Sequence, residues 1–183
     1  MDDAREPTLL ERTLLEIEQH VAESGWDRPP LLYALVETSD LLEREPGLAD
    51  NLGVTPSEIP VGALTPVEQE PLPEGPLDEA LGRIEWPTAV RGCALIQEVL
   101  ALPPDAEAQM PEGSDPVAYA ADHPSRQEIR LAVAVLRDGS HAAAARVRST
   151  DPADQVDGTI GGDLVVDPDL APHLAEALAA TLQ

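Results

Sequence analysis

The stretch QEIRLAVAVLRDGSHAAAARVRS, residues 127–149, decides the fold class. Ile129, Leu131, Val133 and Val135 alternate with Glu128, Arg130, Ala132 and Ala134, the two-residue period of a strand with one greasy face. Asp138-Gly139 marks the turn back. A two-residue loop there would set Leu131 opposite Arg146 and mix the faces. A three-residue loop, Arg137-Asp138-Gly139 with Gly139 left-handed, instead pairs Ile129 with Val147, Leu131 with Ala145 and Val133 with Ala143. That register keeps the core face apolar and is the expected one. On the opposite face it puts Glu128 across from Arg148, and Arg130 across from Arg146. Beside them Ala132, Ala134, Ala142 and Ala144 form a smooth patch that a helix can approach closely.

The clearest helix runs from about Thr8 to Glu23, and Thr8-Leu9-Leu10-Glu11 reads as its capping box. Leu10, Leu14, Ile17 and Val21 recur at helical spacing and give it an apolar stripe to bury. Leu31–Val36 has strand length, and Thr38 or Ser39 can cap a short helix carrying Leu41 and Leu42. Pro46 opens a further helical turn or two that Gly53 ends. Residues 54–76 hold six prolines and read as a long irregular connection, in which Thr65-Pro66-Val67-Glu68 is at most a helix start stopped by Pro71. Leu77–Ile84 reads as a short helix and Ala89–Leu102 as a long strand around Cys93. A second acidic, proline-rich stretch spans about 103–126. A short strand at Asp163–Val166 and a helix from about Asp169, with Pro172 in its first turn, close the chain.

No βαβ rhythm repeats, so the expected architecture over residues 1–183 is a single α+β domain. An antiparallel sheet of about four to five strands is packed by an N-terminal helix, short middle helices and a C-terminal helix. Leu, Ile and Val number 45 of 183 residues, enough apolar mass to fold against a net charge of −24. There is no Phe, and Trp26, Tyr33, Trp86 and Tyr119 are the only aromatic residues, so the core must be aliphatic and alanine-rich.

All eleven basic residues are arginine, which with the abundant Ala, Pro, Asp and Glu suggests a GC-rich genome. The start MDDAREP lacks the layout of a signal peptide, and the longest aliphatic runs fall far short of the ~20 residues that span a bilayer. One cysteine, in an apolar stretch, points to a reduced cytoplasmic protein with a buried thiol. A strongly acidic chain with few aromatics is expected to avoid nucleic acid and anionic membranes, and to be a monomer or weak dimer.

Four segments together carry a resemblance: GWDRPPLLYALVET (25–38), GALTPVEQEPLP (62–73), IEWPTAVRGCALIQE (84–98) and HPSRQEIRLAVAVLRDG (123–139). The chain resembles, over nearly its whole length, an actinobacterial family of acidic proteins of about this size with no assigned function. The resemblance implies a bacterial cytosolic origin and brings no catalytic residues.

The familiar chemistries lack their residues. There is no GxxxxGK[ST], GxGxxG, GxSxG, HExxH or paired CxxC motif, and no lysine for a Schiff base. The glycine-rich Gly158-Thr159-Ile160-Gly161-Gly162 has neither dinucleotide-loop spacing nor a following helix. Glu16, His20 and Glu23 share a helix face at metal-ligand spacing but read as a solvated face. Asp122-His123 reads as a loop, and His141 and His173 as exposed. No catalytic residue, metal or cofactor is assigned.

The charge distribution is more telling. Residues 1–80 hold nineteen acids and four arginines, whereas residues 126–148 hold five arginines against Glu128 and Asp138. Arg130, Arg146 and Arg148, with Arg91, form the candidate strip for an anion or a partner. The strip is either an internal clasp for the protein's own carboxylates or a docking surface. The leading expectation is a non-enzymatic accessory domain working through a protein partner. The alternative is a small-anion or metabolite binder, or an unfamiliar enzyme, using that strip.

Overall fold

The computed structural model describes residues 6–150 and 162–183. The sequence readings at residues 158–161 and at the first five residues lie outside this range. Helix α1 covers Leu9–Glu23, and its capping box forms as the sequence requires. Thr8 Oγ1 accepts from the Glu11 amide at 3.1 Å, and Glu11 Oε2 accepts from the Thr8 amide at 2.7 Å. Strand β1 (Leu31–Glu37) runs directly into α2 (Thr38–Arg44), and α3 (Pro46–Leu52) ends on left-handed Gly53. After a 3-10 turn at Pro56–Glu58 come β2 (Leu64–Glu68), α4 (Leu77–Leu81) and β3 (Val90–Ala101). Short helices α5 (Pro104–Glu107) and α6 (Pro116–Asp122) precede β4 (Gln127–Leu136) and β5 (His141–Val147). Strand β6 (Leu164–Val166), a 3-10 turn at Pro168–Leu170 and α7 (Pro172–Ala180) follow.

The six strands form one antiparallel sheet in the order β2-β1-β3-β4-β5-β6, so the architecture is α+β with more strands than the sequence suggested. The additional strand is β2. Thr65-Pro66-Val67-Glu68 pairs with Tyr33–Val36 rather than starting a helix. Pro66 is tolerated because β2 is an edge strand, where a missing amide removes no ladder bond from the interior. The second proline-rich stretch is likewise not wholly irregular. Asp115 caps α6 by accepting from the amides of Val117 and Ala118, with Pro116 at the first helical position.

The hairpin adopts the expected register: Ile129 faces Val147, Leu131 faces Ala145 and Val133 faces Ala143. Its three-residue loop closes with the Leu136 amide donating to Ser140 O at 2.8 Å, and Gly139 sits at φ 89°. Both faces of the sheet are covered. Leu10, Leu14, Ile17 and Val21 of α1 pack on Ala132, Ala134, Ala142 and Ala144, the small side chains permitting close approach. On the other face Leu178 and Leu182 pack on Cys93, Leu95, Val133 and Val135. None of the described helices is long and apolar enough to cross a membrane.

Strand β3 carries a bulge: Leu35 pairs with Gly92 and Val36 with Val90, leaving Arg91 between them. The bulge re-aims Arg91 toward β1 and α2, where it meets Glu37 at 2.9 Å and Asp40 at 3.9 Å.

Candidate functional site

The sheet register places Glu98, Arg130 and Arg146 side by side on three adjacent strands, beneath α1. Two arginines directly opposite each other repel, and nothing on the strands themselves separates their charges. Glu18 of α1 does. It is 1% exposed and takes a two-pronged contact from Arg146, whose Nε and Nη2 donate to Oε1 and Oε2 at 2.7 Å each. The Arg130 Nη1 lies 3.9 Å from Glu18 Oε1. Arg130, itself 1% exposed, donates from Nη2 to Glu98 Oε1 at 3.2 Å and to the Gly25 carbonyl. Among the described residues its Nε and Nη1 find no hydrogen-bond acceptor.

The same residues fasten the turn that leaves α1. Glu98 Oε2 accepts from the amides of Asp27 at 2.8 Å and Arg28 at 3.2 Å. Asp27 takes a left-handed conformation, φ 66°, which Asp tolerates better than most residues. Trp26 lies over the Arg130 guanidinium at 4.3 Å and near that of Arg148 at 5.4 Å, the geometry of cation–π contacts. Arg148 pairs with Glu128 and with both Asp27 carboxylate oxygens, at 3.2 and 3.3 Å. The hydrogen bonds it donates to Glu128 and then Asp27 hold its pKa above the ordinary arginine value.

The structure thus brings Arg130, Arg146 and Arg148 together and leaves Arg91 apart, at the opposite end of the sheet. Both buried arginines already hold the protein's own acids. The crevice beside Arg130, lined by Val21, Arg28, Pro29 and Gln97 among others, has no room for a water molecule. Chemically the cluster ties α1, the Gly25–Arg28 turn and three strands into one unit.

A family model described as PPA1309-like protein matches residues 10–183. The chain belongs to that family. No curated protein and no solved structure matches it. The span shared with the family contains every member of the cluster, from Glu18 to Arg148.

Glu18, the residue that organises the cluster, was not singled out from the sequence. The signal was its spacing: it lies four residues after Leu14 and three before Val21, on the stripe that α1 buries. The sequence places Arg137 in the hairpin loop but points to no partner for it. It donates to the carbonyls of Val90 at 2.8 Å, Trp86 at 3.1 Å, Pro87 at 3.2 Å and Leu182, stitching α7 to the sheet.

The weaker candidates take up ordinary positions. Glu16, His20 and Glu23 are exposed, and among the described residues no group of three His, Cys, Asp or Glu side chains could hold a metal. His123 Nδ1 accepts from the Ser125 amide at 3.1 Å, and the ring lies 5.4 Å from that of Tyr119. Cys93 is fully buried beneath α7, 3.7 Å from Thr181 Oγ1, and burial pushes its pKa up to about 11. Thiolate is therefore scarce at neutral pH, and the folded protein should resist a thiol-reactive probe that labels the denatured chain promptly. Prompt labelling under native conditions would show that α7 opens. Tyr33, whose pKa rises to about 12 through burial beside Glu68, adds to the alkaline cost. Both groups are neutral in either state at pH 7, and both ionise more readily when unfolded. Stability should therefore fall as pH rises from about 9 toward 12, a window that a urea titration at several pH values resolves.

Proposed function

We propose that this protein is a non-enzymatic accessory module of the actinobacterial cytoplasm that works through contact with another protein. One observation carries the reading. The arginines most suited to gripping an anionic ligand are engaged by Glu18, Glu98, Asp27 and Glu128, while a chain of net charge −24 turns most of its acids to solvent. Such a surface favours cationic partners and disfavours phosphate-bearing ones. The single, buried cysteine and the acidic composition support the cytoplasmic assignment.

The test is affinity capture from native bacterial lysate under gentle crosslinking, read by mass spectrometry. A stoichiometric protein partner released at high salt is the expected result, and its absence removes the reading. A thermal-shift screen against phosphate, citrate and divalent cations tests the second reading, a small-anion site on the arginine strip. A ligand bound only by the folded form raises stability by RT ln(1 + [L]/Kd). A saturable shift with one anion would favour that second reading over protein contact.

A further inference from the structure

The two ends of the sheet differ in charge. The arginine cluster occupies the end where β4 begins and β5 finishes. At the other end, the Thr8 cap and Leu9–Glu11 of α1, the start of β2, the hairpin turn and the 168–169 turn enclose an open cavity of about 820 Å³. An adjoining hollow of about 360 Å³ shares Gly62, Leu64, Leu136 and Asp138 with it, so the two form one trough across the sheet end. The larger cavity alone is in the range of ordinary binding sites, roughly 300–1,000 Å³. Its floor is apolar: Leu9, 36% exposed, with the half-buried Leu64 and Leu136. Val61, just outside, is 97% exposed.

The trough's charge is negative. Among the described residues, Asp138 and Asp169 line the larger cavity beside Glu11, whose carboxylate caps α1, and no arginine lines it. The smaller hollow adds Glu37, Arg91 and Arg137. Arg91 is held by Glu37 and Asp40, and Arg137 by main-chain carbonyls. Hydrogen bonds from Ser140 keep the Asp138 carboxyl below its ordinary pKa, so it stays charged. The sheet edges offer less. Strand β2 carries Pro66, and β6 is three residues long between Asp163 and Asp167, both devices that blunt an edge against strand addition.

We infer that this trough docks an extended cationic segment of a partner protein, its apolar side chains seated on Leu9, Leu64 and Leu136 and its basic ones facing Asp138 and Asp169. The inference rests on the protein-contact reading and names the surface that serves it. Charge complementarity selects the partner and speeds encounter, while the apolar floor supplies most of the hold.

The test uses the full chain, labelled for NMR, and a synthetic peptide of about ten residues alternating Arg and Leu, at about 0.15 M salt. Saturable shifts should appear at Leu9, Gly62, Leu64, Asp138, His141 and Asp169. Asp169→Arg and Leu9→Arg, both on exposed positions, should each weaken binding about tenfold. Glu107→Arg, an equal charge reversal on α5 beyond the far end of β3, should leave it unchanged. A peptide of Arg alone should bind more weakly than the mixed one, and a Glu–Leu peptide not at all. Shifts centred on β6, or equal losses for Glu107→Arg and Asp169→Arg, would overturn the inference. Lysate capture separates the two levels. A partner that stays bound to the Leu9→Arg/Asp169→Arg double variant removes the trough but keeps protein contact. A wild-type chain that captures nothing yet binds the peptide in the trough removes protein contact and keeps the docking chemistry.

Discussion

Glu18→Ala should be the most damaging single change in the protein, lowering stability by about 3–5 kcal/mol. The reason is not the loss of one contact. Removing the carboxylate that Arg130 and Arg146 share leaves two guanidinium groups opposed across the strand pair, 1% and 8% exposed and so largely cut off from bulk solvent. Glu98 still holds one side of Arg130, and Gly162 O still lies 3.4 Å from Arg146 Nη1, but neither neutralises the second charge. In a protein of this size such a loss lowers Tm by roughly 10 °C or more. The companion experiment separates charge from packing. In Glu18→Leu/Arg130→Met/Arg146→Met all three charges are replaced by apolar groups, so most of the loss should be recovered. Thermal unfolding followed by circular dichroism checks both. If the triple variant is no more stable than Glu18→Ala, the uncompensated charge is not the source of the damage.

The second large effect is steric and sits at the opposite end of the sheet. A Cβ at Gly92 would lie 2.2 Å from Val135 O, 2.6 Å from Leu136 Cδ2 and 3.1 Å from Leu136 Cα. Two of these three neighbours are backbone atoms of the central β4 strand, which cannot rotate away. Gly92→Ala should therefore force β3 and β4 apart next to the Arg91 bulge and cost about 3 kcal/mol, the upper end of the overpacking range. Hydrogen exchange should show the Arg137 amide, which donates to Arg91 O at 2.9 Å, losing protection first. An unchanged melting curve and exchange pattern would mean that the strands already have room to part. Opening the bulge would also release the Arg91 contact with Glu37, so the variant links the fold to the trough.

Internal arginine contacts explain why an acidic chain with so few cations remains compact. Among the described residues, Arg83, Arg91, Arg130, Arg137, Arg146 and Arg148 hold an acid or a carbonyl of the chain itself. Those nearest the sheet join elements far apart in sequence: Arg146 reaches α1, Arg137 reaches the C-terminal residues and Arg148 reaches the turn after α1. Arginine suits this work because its planar fork can grip two acceptors at once.

Local rules reached those features whose cause lies within a few residues. Thr8 and Glu11 meet because they are three apart on a helix start, and Leu136 meets Ser140 because Gly139 permits the left-handed turn that fixes the register. The alternation of Ile129–Val135 named the strand, and the alanines beside Arg130 and Arg146 named the patch on which α1 settles. Strand β2 was not legible, because Pro66 argues against a strand until an edge position removes the need for its amide. The role of the arginines was not legible either. Their fate depends on Glu18 lying 128 residues from Arg146 in sequence and 2.7 Å from it in space. That positive charge gathers on one hairpin within an acidic chain follows from residue order alone. Only the packing of α1 onto that hairpin decided that the charge is an internal clasp, because helix spacing sets which face Glu18 presents but not which strand lies beneath it.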